Sequence, residues 1–205
     1  MMEALALKKR TKETDDVRQN HILMREAYRK ALEAKPGDIA ALQGQARMSF
    51  ALKLYDNALE EYDLLIKHNP EKKSYTLNKM ICLTNLGRYE ETLDTLFRLS
   101  LENEDDLNVK RVLAWALTGV GKYEQALTQY AQLTGGETPV AEDFLSQGYC
   151  LWFANRTADA IASFRRYLDE TGETAVRIIE NEEALIDKKG IKTSERLLML
   201  DALGS

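Results

Sequence analysis

Apolar residues recur along the chain at steps of three and four, and clusters containing glycine, asparagine or proline interrupt them at regular intervals. Leu59, Tyr62, Leu65 and Ile66 form one such stripe, and Leu127, Tyr130 and Leu133 form another. A repeat close to 3.6 residues puts each stripe on one face of an α-helix. Stripes lie on both sides of the short turns Gly87-x-Tyr89 and Gly121-x-Tyr123, so the pattern predicts helices in pairs.

The pairs keep a fixed register. The fragment Ala58-x-x-x-Tyr62 returns at Ala126 and Tyr130 and at Ala160 and Phe164, with Thr92 and Leu96 in the slots between, and each step is 34 residues. Tyr55, Tyr89, Tyr123 and Thr157 form a second column with that step, and Lys53, Gly87, Gly121 and Asn155 a third. The third column stands where a helix must stop and reverse through a residue with positive φ, a conformation open to glycine and next to asparagine. Lys53 is the strained member. Pro36 and Pro70 end the first two units, Glu104, Thr138 and Gly172 stand in later, and Pro139 lies one place further on. A fixed period of this length means stacked copies of one supersecondary unit rather than a single core around a catalytic cleft.

Small residues set how closely the paired helices approach. Ala46, Ala114 and Gly148 are expected to face Ala58, Ala126 and Ala160, bringing the axes toward the short end of the usual range of about 8–10 Å. Met80 opposite Thr92 breaks this rule, so the 73–104 unit is expected to be splayed or repacked.

With these columns in place the chain resembles the tetratricopeptide repeat family, whose 34-residue signature sets small residues, a glycine turn, aromatics and a terminal proline at these offsets. The resemblance covers units 39–72, 73–106, 107–140 and 141–174 and a preceding half unit marked by Met24, Tyr28, Ala31 and Pro36. The signature tryptophan is replaced by Leu42, Thr76, Lys110 and Phe144. The resemblance implies an all-α, right-handed α-solenoid with helical caps. It comprises an N-terminal helical segment and half repeat (1–38), four repeats (39–174) and a C-terminal cap (175–205), read as one continuous domain.

In that family the first helix of each unit lines a concave groove, and one stripe of it stays free of the stacking. Here the stripe is Gln43, Arg47 and Phe50, then Leu77, Ile81 and Thr84, then Arg111, Trp115 and Thr118, then Leu145, Tyr149 and Trp152. Each trio runs i, i+4, i+7 on one helical face. Phe50, Ile81, Trp115, Tyr149 and Trp152 would make an apolar patch of the kind that marks contact sites. The same spacing also serves internal packing, in which a cap or a second copy would cover the rings. The carboxylate clamp of co-chaperone members, two lysines with asparagine and arginine, is not matched by Gln43, Arg47, Asn78, Asn108 and Val112. An apolar or amphipathic peptide is therefore the expected ligand, with Arg47 and Arg111 pairing acidic groups on its flank.

Composition narrows the classes of function. Charged residues make up 30% of the sequence, there are three prolines, the net charge is −5, and no apolar run approaches the ~18 residues of a membrane span. Neither a membrane nor a nucleic acid is an expected partner, since the latter needs clustered basic residues. The one dense basic run, Lys8, Lys9, Arg10 and Lys12, reads as a solvated terminus. Cys82 and Cys150 lie two periods apart in units that are not neighbours, beyond the ~7 Å Cα limit for a disulfide, so both are expected as buried free thiols. No secretory signal is visible in the first eight residues, which makes the cytoplasm the expected compartment. The opening on a half repeat is also what a piece of a longer, possibly exported, protein would show.

Both ends are expected to carry caps. Residues 14–34 could form one helix. Thr174 to Lys188 and Thr193 to Leu203 form two helical segments about Gly190, with Val176, Ile179, Leu185, Ile186, Leu197, Leu198 and Leu200 supplying apolar contact. Glu180, Glu182 and Glu183 read as the wet side of this cap rather than a metal site. Catalytic motifs are missing from the sequence. His21 and His68 stand alone, Ser146 and Ser163 have no histidine partner, Gly135-Gly136 reads as a loop, and the sequon Asn155-Arg156-Thr157 falls in a turn. The expectation is a non-enzyme with no cofactor and no metal. Its function would be a protein-interaction module receiving a peptide in the groove. The alternatives are a self-assembling scaffold, hence a homo-oligomer, or a secretion-type chaperone for a specific client.

Overall fold

The computed structural model describes the backbone of residues 2–204 and the side chains of residues 15–204. The side chains of the basic run Lys8, Lys9, Arg10 and Lys12 fall outside the described residues. A long helix α1 (Met2–Ala34) leads into α2 (Ile39–Ala51), α3 (Tyr55–His68) and α4 (Lys73–Asn85). A 3-10 turn, Glu90–Thr92, then opens α5 (Leu93–Glu102), followed by α6 (Leu107–Gly119), α7 (Tyr123–Thr134), α8 (Ala141–Phe153) and α9 (Thr157–Thr171). Three further helices close the chain: α10 (Ala175–Asn181), α11 (Glu183–Lys188) and α12 (Thr193–Gly204). The described residues contain no strand. The all-α solenoid class is the one the period implied.

Local chemistry explains those boundaries. Asp38 Oδ1 accepts the amide of Ala41 at 3.1 Å and so starts α2, and Asp106 Oδ1, two periods on, accepts the amides of Asn108 and Val109 at 2.9 and 3.2 Å to start α6. At the reversals, Lys53, Gly87, Gly121 and Asn155 have φ of 60°, 72°, 84° and 61°. The amides that follow three of them, Leu54, Lys122 and Arg156, donate back to Ser49, Leu117 and Leu151 at 2.9, 2.9 and 2.8 Å. This is the left-handed helix end that satisfies otherwise orphaned carbonyls. Lys53 thus holds a glycine conformation with a Cβ.

The small-residue column is sealed. Ala46, Ala58, Ala114, Ala126 and Ala160 are fully buried, and a Cβ added to Gly148 would stand 2.5 Å from the Phe164 ring. Met24 belongs to the same column, yet it is 44% exposed where Ala58, Thr92, Ala126 and Ala160 are at 0%. Among the described residues α1 has no first helix of its own unit to pair with.

Two compact units make up the chain, Met1–Leu86 with α1–α4 and Gly87–Ser205 with α5–α12. The division falls inside the 73–106 repeat, between its two helices. In the second unit the first turn of that second helix is a 3-10 turn in which Thr92 Oγ1 donates to the Tyr89 carbonyl at 2.7 Å. Cys82 in the first unit and Cys150 in the second are buried free thiols. Burial pushes the thiol of Cys82 up to about 12 and that of Cys150 up to about 11.

Candidate interaction surface

In the first unit the expected contact residues sit on α2 and α4. Gln43 is half-buried, its Oε1 accepting the Tyr75 hydroxyl at 3.2 Å, while Lys72 Nζ donates to that hydroxyl at 3.1 Å and lies 4.5 Å above the ring. Arg47, one turn on, is exposed. Phe50 is half-buried and meets Tyr55 edge-on at 5.7 Å. On α4, Leu77 and Ile81 are half-buried, whereas Thr84 is buried and donates to the Ile81 carbonyl at 2.9 Å. This helical face therefore mixes an exposed guanidinium with partly accessible apolar side chains.

The equivalent face in the second unit is arranged otherwise. Arg111 Nε and Nη2 donate to the two carboxylate oxygens of Asp143 at 2.7 and 2.9 Å. That bidentate bond raises the Arg111 pKa above its ordinary value. The guanidinium expected to meet a partner is thus engaged inside the unit. Trp115 and Leu145 are half-buried, Thr118 is fully buried, and Tyr149 and Trp152 are only 1% and 4% exposed. The expected open aromatic patch is corrected here: these rings belong to the unit's own core. Trp115 and Tyr149 pack edge-on at 6.0 Å, Tyr149 meets Phe164 at 5.2 Å, and Trp152 meets Phe164 at 6.2 Å.

The C-terminal helices complete this burial. Ile178, Leu185, Ile186 and Met199 share one buried cluster with Tyr149, Trp152, Phe153 and Phe164, and Trp115 and Leu145 pack against it. The Tyr149 hydroxyl donates to the Ile178 carbonyl at 2.6 Å, and burial drives the phenol pKa well above its ordinary value. Lys189 Nζ donates to the Thr118 and Gly119 carbonyls at 3.0 and 2.8 Å, at the end of α6, and lies 5.2 Å from the Tyr123 ring centre. Of the apolar residues expected to make the cap, Leu185 and Ile186 are buried, Ile179 and Leu200 are half-buried, and Val176, Leu197 and Leu198 are exposed. The helix breaks at Glu182, which separates α10 from α11.

Four residues that matter here escape a reading of period and composition: Asp143, Ile178, Lys189 and Met199. Asp143 alone carries a signal, as a carboxylate in the first turn after Pro139-Val140, where it accepts the Val140 amide at 3.3 Å. Lys189 lies 70 residues beyond the carbonyl of Gly119, a separation no local pattern encodes.

The remaining polar features belong to the architecture. A crevice of about 410 Å³ in the first unit is lined by Gln45, Asn57 and Glu61, and one of about 360 Å³ in the second by Gln147, Asp159 and Ser163, each three periods later. The crevice therefore accompanies stacking. Glu61 accepts Gln45 Nε2 at 2.6 Å, and Ser163 donates to Gln147 at 3.0 Å. His21 is half-buried and His68 exposed, and no cluster of three metal-ligating side chains occurs among the described residues. No helix of the described residues is long and apolar enough to cross a membrane.

Residues 111–173, from the Arg111 helix through α9, match the family model described as tetratricopeptide repeat. Over that segment the chain is similar to tetratricopeptide repeats. Solved structures extend the likeness of fold over most of its length. A tetratricopeptide repeat protein from Parabacteroides merdae is 15% identical with a TM-score of 0.67, covering 91% of this chain and 79% of that one. A double mutant of MamA, MamA RS-1 ArsTM, is 14% identical with a TM-score of 0.61, covering 80% and 92%. YrrB, described as a TPR protein with an unusual peptide-binding site, is 18% identical with a TM-score of 0.58, covering 80% and 84%. No curated protein matches the chain. At these identities the likeness is one of fold.

Proposed function

We propose that the chain is a non-catalytic protein-interaction module that receives an apolar or amphipathic peptide on the α2 and α4 face of its first unit. The observation that carries this reading is the contrast between equivalent positions. In the column Arg47, Ile81, Trp115 and Tyr149, Tyr149 is sealed in the core of the second unit, whereas Arg47 is exposed in the first, where Phe50, Leu77 and Ile81 on the same two helices are half-buried. Apolar area beside an unburied guanidinium suits a peptide with an apolar anchor and an acidic flank. The peptide-binding site named for YrrB, which shares the fold, supports the same reading. Of the twelve residues expected to meet a partner, Gln43, Arg47, Phe50, Leu77 and Ile81 are retained in this proposal.

Selection of peptides from a random displayed library against the full chain tests it. Enriched sequences are expected to combine apolar residues with Asp or Glu, and an Arg47→Glu, Ile81→Asp variant with native circular dichroism is expected to lose at least ten-fold in affinity. Undiminished binding by that folded variant excludes the α2 and α4 face.

A second reading, self-assembly, draws on α1, where Met24 is exposed in a column that repeat packing otherwise buries. Sedimentation at rising concentration decides it: growth in mass that Met24→Lys abolishes supports self-assembly, and a strict monomer removes it.

A further inference from the structure

The C-terminal helices lie on the one helical face of the second unit that is rich in aromatic residues, and their chemistry there is specific. Leu185 and Ile186 enter the cluster containing Tyr149 and Trp152, and Lys189, one turn after Ile186, places its ammonium on the last carbonyls of α6. A cation at a helix C-terminus meets the negative end of the helix dipole, and the Phe153 ring lies 5.9 Å from the same nitrogen.

We propose that α10–α12 form a reversible strap over a second partner site on α6 and α8, and that this site takes a helical segment of the strap's own chemistry. The matching partner carries an adjacent pair of branched apolar residues followed one turn later by a lysine. This deepens the reading of the chain as an interaction module and rests on it.

The strap reaches the buried cluster through four side chains, Ile178, Leu185, Ile186 and Met199, carried on helices with little stability of their own. Helices α10 and α11 span 7 and 6 residues, too short to persist without the surface beneath them. Their connection to α9 runs through Gly172 at φ 68°, and the backbone is already extended at Thr174. On the outer side Leu197 and Leu198 are 62% and 68% exposed, so α12 adds less burial than its composition allows. Lys189 is partly stripped of water, and that desolvation lowers its pKa. Elements with few buried contacts open locally well below the free energy of global unfolding. Because the strap is tethered, its effective concentration is high, and an outside helix competes only when the strap is loosened.

Hydrogen exchange on the unmodified full chain gives the first test. Amides of residues 175–204 are expected to exchange at least ten-fold faster than those of α8 and α9, and equal protection overturns the strap. The second test uses a fluorescein-labelled synthetic peptide of residues 174–192 as the probe. A full-length Lys189→Gln chain is expected to bind it at least ten-fold more tightly than the wild type does. Binding should lower acrylamide quenching of Trp115 and Trp152, the two tryptophans of the sequence. A probe carrying Lys189→Glu is expected not to bind. Absence of probe binding to a chain whose strap opens overturns the partner assignment. The Arg47→Glu, Ile81→Asp substitutions are expected to leave probe binding unchanged, so failure at one face is distinguishable from failure at the other.

Discussion

Arg111 on α6 grips Asp143 on α8 through two hydrogen bonds, and the Asp143 side chain is only 2% exposed. The pair joins consecutive repeats at the start of the face that holds Trp115 and Tyr149. Removing the guanidinium leaves a buried carboxylate with only the Val140 amide as donor. Loss of one partner from a buried ion pair costs about 3–5 kcal/mol. The Arg111 side chain retains 29% exposure, so water reaches the site and Arg111→Met is expected to cost about 2–3 kcal/mol. Adding Asp143→Asn should restore part of this. Urea unfolding with an unchanged slope measures both, and an Arg111→Met midpoint equal to wild type contradicts a stabilising role for the pair.

The turn column offers a gain in stability. Lys53 and Asn155 hold φ near 60°, where glycines stand at the equivalent turns. A left-handed conformation costs a residue with a Cβ about 1–2 kcal/mol, offset by about 0.5–1 kcal/mol for the greater unfolded-state freedom of glycine. Lys53→Gly is thus expected to stabilise the chain by about 0.5–1 kcal/mol, and Asn155→Gly by less, because asparagine tolerates the conformation. Thermal melts compare the two directly. A lower Tm for Lys53→Gly would sink the argument.

How much could be read from the residues follows the range of the forces involved. Helix pairing, the 34-residue step and the strain at Lys53 rest on contacts within one repeat or its neighbour, and each repeat restates them. The covering of Tyr149 and Trp152 does not repeat. It depends on Ile178 and Lys189 folding back onto α8 and the end of α6, through a break at Glu182 that no period announces. An aromatic stripe at helical spacing is equally a groove or a core until the tail is placed. Arg111 was misleading for a related reason, since its partner stands in the next repeat, 32 residues away.

Packing in the small-residue column predicts opposite responses at equivalent kinds of position. Gly148→Ala would bring a Cβ to 2.5 Å from Phe164, a ring fully buried and held against Tyr149 and Trp152. Overpacking of this kind costs about 1–3 kcal/mol. Met24→Gln, in the column of Ala160 but exposed, is expected to change stability by no more than about 0.5 kcal/mol. Chemical denaturation of both variants checks the contrast, and equal losses would contradict the open half repeat.

The two thiols give the fold an alkaline limit. In the folded chain burial raises Cys82 to about 12 and Cys150 to about 11, from an ordinary value of 9.0. Above pH 9 the unfolded chain releases thiol protons that the folded chain still holds. Stability then falls with rising pH, by at most about 1.4 kcal/mol per pH unit for each group. Lys189 acts with the opposite sign, because its lowered pKa lets the folded chain shed a proton before the unfolded chain does. Comparison with a cysteine-free chain isolates the thiols, since Lys189 and the buried tyrosines Tyr62, Tyr89, Tyr123, Tyr130 and Tyr149 titrate in both chains. A Cys82→Ala, Cys150→Ala chain is expected to be less stable at pH 7, from lost packing, but to decline less steeply between pH 8.5 and 10. Tm profiles that stay parallel across that window would show that buried thiols do not set the alkaline limit.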